Sequence, residues 1–371
     1  MQYLICPDKF KGSLSSLEVA QAIQAGIRKF DSNAAIKLFP LADGGDGFST
    51  VIQHYCNTKT LIVKTVDPLM RPLQASYEMD LPSKTAYIEL AAASGLVLLR
   101  EKERNPLYTS TYGTGLMIQD ALEKGATKIV LGLGGSATND GGIGILSALG
   151  WTLLNEEQSI LNPVGKSLQH LSKLLPPENK INFQLVLACD VSNPLTGLNG
   201  AAHVYGAQKG AEPATIEILD KGLSHLGKLL QSIQPSFKPN EPGIGAAGGT
   251  PAALVALYQA TIISGIEILL EMSALEKSIS RESVLITGEG KFDDQSLQGK
   301  VVGSIAQLGS KHNIPVYVCC GISEFSKKEF SHLGIADVIQ IKNKERSIEE
   351  CLHSASEFIE KEIFDLIRSL D

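Results

Sequence analysis

The sequence is poor in tryptophan, with one in 371 residues, and lacks the cysteine and histidine patterns that mark metal or redox sites. Its six cysteines (Cys6, Cys56, Cys189, Cys319, Cys320, Cys351) include no CxxC and no regular framework, so they read as small buried hydrophobes in a reducing compartment. The seven histidines form no HxxxH or HExxH pair, which argues against a zinc site. No long basic run or basic-aromatic interleaving occurs, and the net charge is −7, so nothing supports nucleic-acid binding. Pro242 to Ile266 carries no charge, but Gly243, Gly245, Gly248, Gly249 and Pro251 break it, leaving too little apolar helix to cross a bilayer. The chain opens directly on a strand, Tyr3 to Cys6, without a basic segment and apolar core ahead of it. The expectation is a cytoplasmic protein without a signal peptide or membrane contact.

What is present is the composition of a globular chain, 43% apolar and 20% charged, long enough for about two domains. The 35 glycines are numerous and point to close backbone approaches. The most informative run is Lys128 to Gly150. An apolar β-branched stretch breaks into Gly134-Gly135-Ser136-Ala137-Thr138-Asn139-Asp140-Gly141-Gly142, and helical periodicity resumes at Ile143, Ile145, Leu146 and Leu149. Strand, glycine turn and helix in that order suit an anion, phosphate first.

Three chemistries compete for this turn. A P-loop is excluded, because no lysine precedes the hydroxyl residue. Gly132-x-Gly134-x-x-Ala137 satisfies a loose dinucleotide fingerprint, with Glu156 and Glu157 about twenty residues on, so an NAD-dependent hydroxy-acid dehydrogenase stays open. A kinase-type phosphate loop is favoured by Ser136, Thr138, Asn139 and Asp140, whose hydroxyls and carboxylate suit phosphate oxygens and Mg²⁺. A non-catalytic sensor of sugar acids or phosphates is the further alternative, opposed by the number of carboxylates at strand ends.

Other strand ends carry chemistry too. The first strand runs into Asp8, Lys9 and Lys11, and Ser15 with Glu18 forms a capping box for the helix that follows. Ile36 to Pro40 leads into Asp43-Gly44-Gly45-Asp46-Gly47. From Thr60 the pattern changes to short alternating strands (61–66, 73–78, 86–90, 96–99), with Arg71 in the first turn, which marks a domain boundary near residue 62. Phe183 to Cys189 delivers Asp190 to a strand tip, a way to place a base or metal ligand. In Gly248-Gly249-Thr250-Pro251 a threonine N-cap and a first-turn proline open a helix from glycines. The strand 283–287 leads into what reads as a tight glycine turn carrying Glu289, Lys291, Asp293 and Asp294, suited to a Mg-phosphate site.

Together these stretches resemble the bacterial glycerate kinases over essentially the full length. The matching pieces are PDKFKGSLSSLEVA (7–20), PLADGGDG (40–47), RNPLYTSTYGTG (104–115), GLGGSATNDGG (132–142), CDVSNPL (189–195), GAAGGTPAAL (245–254) and TGEGKFDDQSLQGK (287–300). Departures are small: Lys9 stands where the family usually has Ser, Asp46 where it has Glu, and Pro251 interrupts the glycine-alanine run. The resemblance implies an α/β protein. A discontinuous Rossmann-like domain (1–62 and 283–371) carries an inserted α/β domain (63–282), with the active-site cleft between them closing to exclude water.

The activity implied is Mg²⁺-assisted transfer of the γ-phosphate of ATP to D-glycerate, giving 2-phosphoglycerate, with 3-phosphoglycerate as the other regiochemistry. The expected phosphate and nucleotide site is Gly134, Gly135, Ser136, Thr138, Asn139, Gly248, Gly249 and Thr250. Asp190, Asp293 and Glu289 are the expected catalytic carboxylates, with Asp190 and Asp293 as metal ligands. Asp8, Lys9, Asp43 and Arg71 are offered to the substrate, Arg71 or Lys9 for its carboxylate. Assembly into a homo-oligomer is left open.

Overall fold

A computed structural model describes residues 1–43, 47–179, 181–297 and 300–370. Gly44, Gly45 and Asp46 of the second glycine-carboxylate motif lie outside the described residues, as do Gln298 and Gly299 of the last motif. In chain order the strands are β1 (Gln2–Ile5), β2 (Ala35–Leu38), β3 (Lys59–Val66), β4 (Pro72–Asp80), β5 (Thr85–Glu89), β6 (Lys128–Gly132), β7 (Thr152–Leu154), β8 (Lys173–Leu175), β9 (Gln184–Ala188), β10 (Thr261–Ile263), β11 (Ser283–Phe292), β12 (Val316–Ser323) and β13 (Ile335–Gln340). The chain divides into two compact units, Met1–Asp43 with Ser264–Asp371, and Gly44–Ile263.

The first unit is a parallel sheet in the order β13-β12-β11-β1-β2, built from both chain ends. Helices cover both faces, as a sheet buried on both sides requires. On one face the helix Ser16–Phe30 lays Val19, Ile23 and Ile27 with Ile359, Ile363 and Ile367 of the helix Ala355–Leu370 over Tyr3, Ile5 and Ile286. On the other, Val302 and Ala306 of the helix Val301–His312 pack with Val318 and Cys320. The predicted capping box is present: the Ser15 hydroxyl accepts the Glu18 amide (3.3 Å) and Glu18 Oε2 accepts the Ser15 amide (2.7 Å). This is the Rossmann-like α/β arrangement that the family resemblance implied.

The second unit has a sheet in the order β10-β9-β6-β5-β4-β3, in which β5, β6, β9 and β10 run parallel and the β3/β4 hairpin is antiparallel. Ile88, Leu131 and Leu187 lie in its core with Met117, Ile118 and Leu254. The 21-residue helix Pro213–Ile233 buries Leu223, Leu226 and Leu230 in a separate cluster with Ile143, Leu146, Trp151 and Leu153.

Two local expectations are revised. Leu96 to Leu99 is not a strand: Leu96–Leu98 is a 3₁₀ turn, with Val97 87% exposed, and the Leu96 amide donates to the Gly135 carbonyl (2.8 Å). The apolar run is used to lie along the glycine turn, not to enter a sheet. Gly288 to Phe292 is not a tight turn but the continuation of β11, paired with β12 through Lys291 and Phe292. Glycine serves strand contact there, since a Cβ at Gly288 would sit 2.2 Å from the Cys319 carbonyl oxygen. At the C-terminus two helices, Ile348–His353 and Ala355–Leu370, meet at Ser354.

Candidate active site

In the first unit the chain proceeds outward in both directions from β1 and β11, so the strand order reverses between these two neighbours. Ligands of open α/β sheets bind at the carboxyl ends of strands at such a point. Asp8 follows β1 there, its amide donating to the Gly288 carbonyl (2.8 Å), and Glu289 is the next residue of β11. Burial is the main reason that the Asp8 carboxyl is pushed up to about 7, helped by the negative charge of Asp43 and opposed by Lys9 and Lys300. Burial likewise pushes Glu289 up to about 7, with Asp8 and Asp293 adding and Ser296 and Lys300 opposing. Glu289 Oε1 is buried without a hydrogen-bond partner among the described residues. Asp293 is held by Lys291 (3.1 Å), which also reaches Glu324 (2.7 Å). The structure thus gathers Asp8, Asp43, Glu289 and Asp293 into one electrostatic neighbourhood, with Lys9, Lys291 and Lys300 among its cations.

In the second unit β6 and β9 are parallel neighbours, and their carboxyl ends deliver the turn 134–142 and Asp190 side by side. The Leu133 amide donates to the Ala188 carbonyl (3.2 Å), and the Cys189 amide donates to Ile263 (2.9 Å). The second glycine segment is locked onto the first: the Gly141 amide donates to the Gly248 carbonyl (3.1 Å). A Cβ at Gly248, whose φ is +71°, would stand 2.0 Å from the Thr138 carbonyl oxygen. Ala247, Gly248 and Gly249 form a left-handed turn before the helix proper, and the Thr250 hydroxyl donates back to the Ala247 carbonyl (2.8 Å) instead of capping the helix.

The turn 134–142 is braced from inside. Asp140, fully buried, accepts the Thr111 amide (2.7 Å), the Thr111 hydroxyl (2.8 Å) and the Gly142 (3.1 Å) and Gly144 (3.3 Å) amides. Burial raises its carboxyl and these donors pull it back. Its charge therefore engages the start of the helix Ile143–Ala148 itself. Thr109 donates to the Ala137 carbonyl (2.9 Å), so the segment 104–115 wraps the turn. Thr138 Oγ1 and both polar atoms of the Asn139 amide are buried without partners among the described residues.

The sequence matches the glycerate kinase family over residues 3–371. The chain belongs to the glycerate kinase family. It is 42% identical over 325 residues to the glycerate 2-kinase of Escherichia coli, covering 86% of this chain and 85% of that one. It is 37% identical over 374 residues to the glycerate kinase of Bacillus subtilis, covering 100% and 98%. A solved structure from Salmonella typhimurium, provisionally named glycerate kinase 2, superposes with a TM-score of 0.86 at 36% identity, covering 100% of this chain and 98% of the other. Membership makes the chain an enzyme of a kinase family, and the dehydrogenase and sensor readings are not favoured.

For a glycerate kinase the placement of the expected residues is informative. Glu289 and Asp293 belong to the first unit and Asp190 to the second. Arg71 is tied by its guanidinium to Asp67 and to Glu103 (2.8 Å), both of which hold it in its charged form. Lys209, which the sequence offers only as one of several cations able to meet an anionic ligand and not as a site residue, is fully buried: its ammonium donates to Ser136 Oγ (2.8 Å) and to the Thr138 carbonyl (2.7 Å). A lone lysine in a glycine-rich loop gives no local signal of burial.

Among the described residues no group of three or more His, Cys, Asp and Glu side chains is placed to hold a metal by itself. Mg²⁺ in phosphoryl transfer is commonly held by one or two carboxylates together with phosphate oxygens. The partnerless Glu289 Oε1 fits that use. No helix among the described residues is long and apolar enough to cross a membrane.

Proposed function

We propose that this chain transfers the γ-phosphoryl group of ATP to the 2-hydroxyl of D-glycerate, the 3-hydroxyl being the other regiochemistry. The observation that carries the reading is the interlock of two glycine segments, 134–142 at the end of β6 and 245–250 at the start of a helix, with buried polar atoms of Thr138 and Asn139 left for a ligand. A backbone that closely packed and that polar suits phosphate oxygens. The E. coli relative's name, glycerate 2-kinase, supports the 2-hydroxyl.

In this reading Gly134, Gly135, Ser136, Thr138, Asn139, Gly248, Gly249 and Thr250 cradle the nucleotide phosphates. Asp190 takes the proton from the attacking hydroxyl or holds Mg²⁺. Glu289 and Asp293 are the first unit's carboxylates for the same work, and Glu289, raised to about 7, is poised to exchange a proton near neutral pH. Mg²⁺, when bound, would neutralise charge developing on the transferred phosphoryl group. Asp8 and Asp43 accept hydrogen bonds from substrate hydroxyls, and Lys9 or Arg71, the latter held by Asp67 and Glu103, meets the carboxylate. The two compact units are taken as the discontinuous and inserted domains.

The test is ADP release from ATP and Mg²⁺ with D-glycerate, followed by conversion of the product with enolase alone or with mutase plus enolase. Direct conversion by enolase supports the 2-hydroxyl, and dependence on mutase moves the phosphate to the 3-hydroxyl. ADP release no higher than in the glycerate-free control defeats the reading.

A further inference from the structure

Lys209 stands apart from every residue discussed so far as a binding or catalytic group. Its side chain is 2% exposed, yet it ends in an ammonium whose two hydrogen-bond partners, Ser136 Oγ and the Thr138 carbonyl, are neutral. A buried cation without an ion pair is expensive, because desolvation is offset only in part by neutral acceptors. Asp140 is the charged group acting on it, and that carboxylate is already engaged by Thr111, Gly142 and Gly144. A methionine of similar volume would fill the same space without that cost. The lysine's two contacts flank Ala137 and so fix the stretch Ser136 to Thr138 from beneath. Immediately beyond lie Thr138 Oγ1 and the Asn139 amide, fully buried, with no hydrogen-bond partner among the described residues.

We propose that Lys209 is a positioning residue for the nucleotide's polyphosphate: it sets the shape of the Ser136–Asn139 turn and lends it the positive charge that draws an anion onto it. This rests on the kinase reading of the same turn. Binding an anion restores the charge balance that burial denies the free protein. Burial, eased by Asp140, lowers the Lys209 ammonium to about 7. In the free protein the charge is therefore lost as pH rises through neutrality, and the affinity for polyphosphate falls with it.

The experiment measures binding of inorganic triphosphate, and of ATP with Mg²⁺, by calorimetry from pH 6 to 8.5 for the wild type, Lys209→Met and Lys209→Arg, with thermal melts of each. Wild-type affinity is expected to fall by up to about tenfold per pH unit above 7, as linkage to one proton requires. Lys209→Met is expected to bind about 30-fold more weakly at pH 6.5, the loss of one charge-assisted interaction. Lys209→Arg, charged throughout, is expected to keep most of the affinity and to lose the neutral-pH dependence. Triphosphate binding by Lys209→Met equal to the wild type's, or the same pH dependence in Lys209→Arg as in the wild type, overturns the proposal. If Lys209→Met fails to fold, the comparison of Lys209→Arg with the wild type decides alone. Because the readout is binding without glycerate, inactivity of the wild type towards glycerate would defeat the kinase reading and leave this test standing.

Discussion

Asp8, just beyond the carboxyl end of β1, and Glu289, in the carboxyl-terminal half of β11, flank the point at which the strand order reverses; the Asp8 amide donates to the Gly288 carbonyl, and the charge of Asp8 raises the Glu289 carboxyl. Two carboxyls raised chiefly by burial, Asp8 further by Asp43 and Glu289 further by Asp8, are in tension with stability, and that tension is measurable.

Each of the two has its folded pKa raised to about 7, so the native state holds protons that the unfolded chain releases. Their contribution to stability is fully present below the ordinary carboxylate range and is lost as pH rises through about 7. Asp8→Asn should therefore stabilise the protein at pH 8, by about 4 kcal/mol at most, with a much smaller gain at pH 5. Thermal melts at the two pH values check this, and equal gains at both would show that the carboxyl is not raised.

Asp190→Asn should lower turnover by roughly 10²–10⁴-fold if its carboxylate takes the hydroxyl proton or holds the metal. Circular dichroism and the melting temperature should stay close to those of the wild type. Near-normal turnover refutes the assignment.

Gly248→Ala should damage both glycine segments together. Its Cβ would meet the Thr138 carbonyl oxygen at 2.0 Å, and φ of +71° disfavours any side chain. A loss of about 2 kcal/mol or more in denaturant unfolding is expected, with a higher KM for ATP. An unchanged KM would mean that the interlock does not shape the nucleotide site.

The two cations offered to the glycerate carboxylate separate in a kinetic comparison. Lys9→Ala should raise KM for glycerate by about tenfold or more, the loss of one charge-assisted contact. Arg71→Ala, which removes the ion pairs with Asp67 and Glu103, should change KM little. The reverse order would assign the carboxylate to Arg71.

Much of this was legible in the sequence, because the relevant signals are local. The capping box at Ser15 and Glu18, the apolar runs of β1, β6, β9 and β11, and the glycines beside polar residues at strand ends each report on a few consecutive residues. Alternation of strand and helix was enough to give an α/β fold, and the resemblance to the glycerate kinases implied a Rossmann-like domain built from both chain ends. Local patterning failed where a partner decides the conformation. Gly288 reads as a turn until Cys319 is seen packed against it, and Leu96 to Leu99 reads as a strand until Leu96 is found bonded to Gly135.

The sequence by itself determined the class of fold, the glycine segments and the carboxylates, since backbone propensity and side-chain chemistry travel with the residue. Only the tertiary structure decided that Gly248 locks onto Thr138, that Asp8 and Glu289 share a strand-order reversal, and that Lys209 is buried beneath Ser136 and Thr138. These depend on residues tens to hundreds of positions apart, whose burial and mutual charge exist only once the chain has packed.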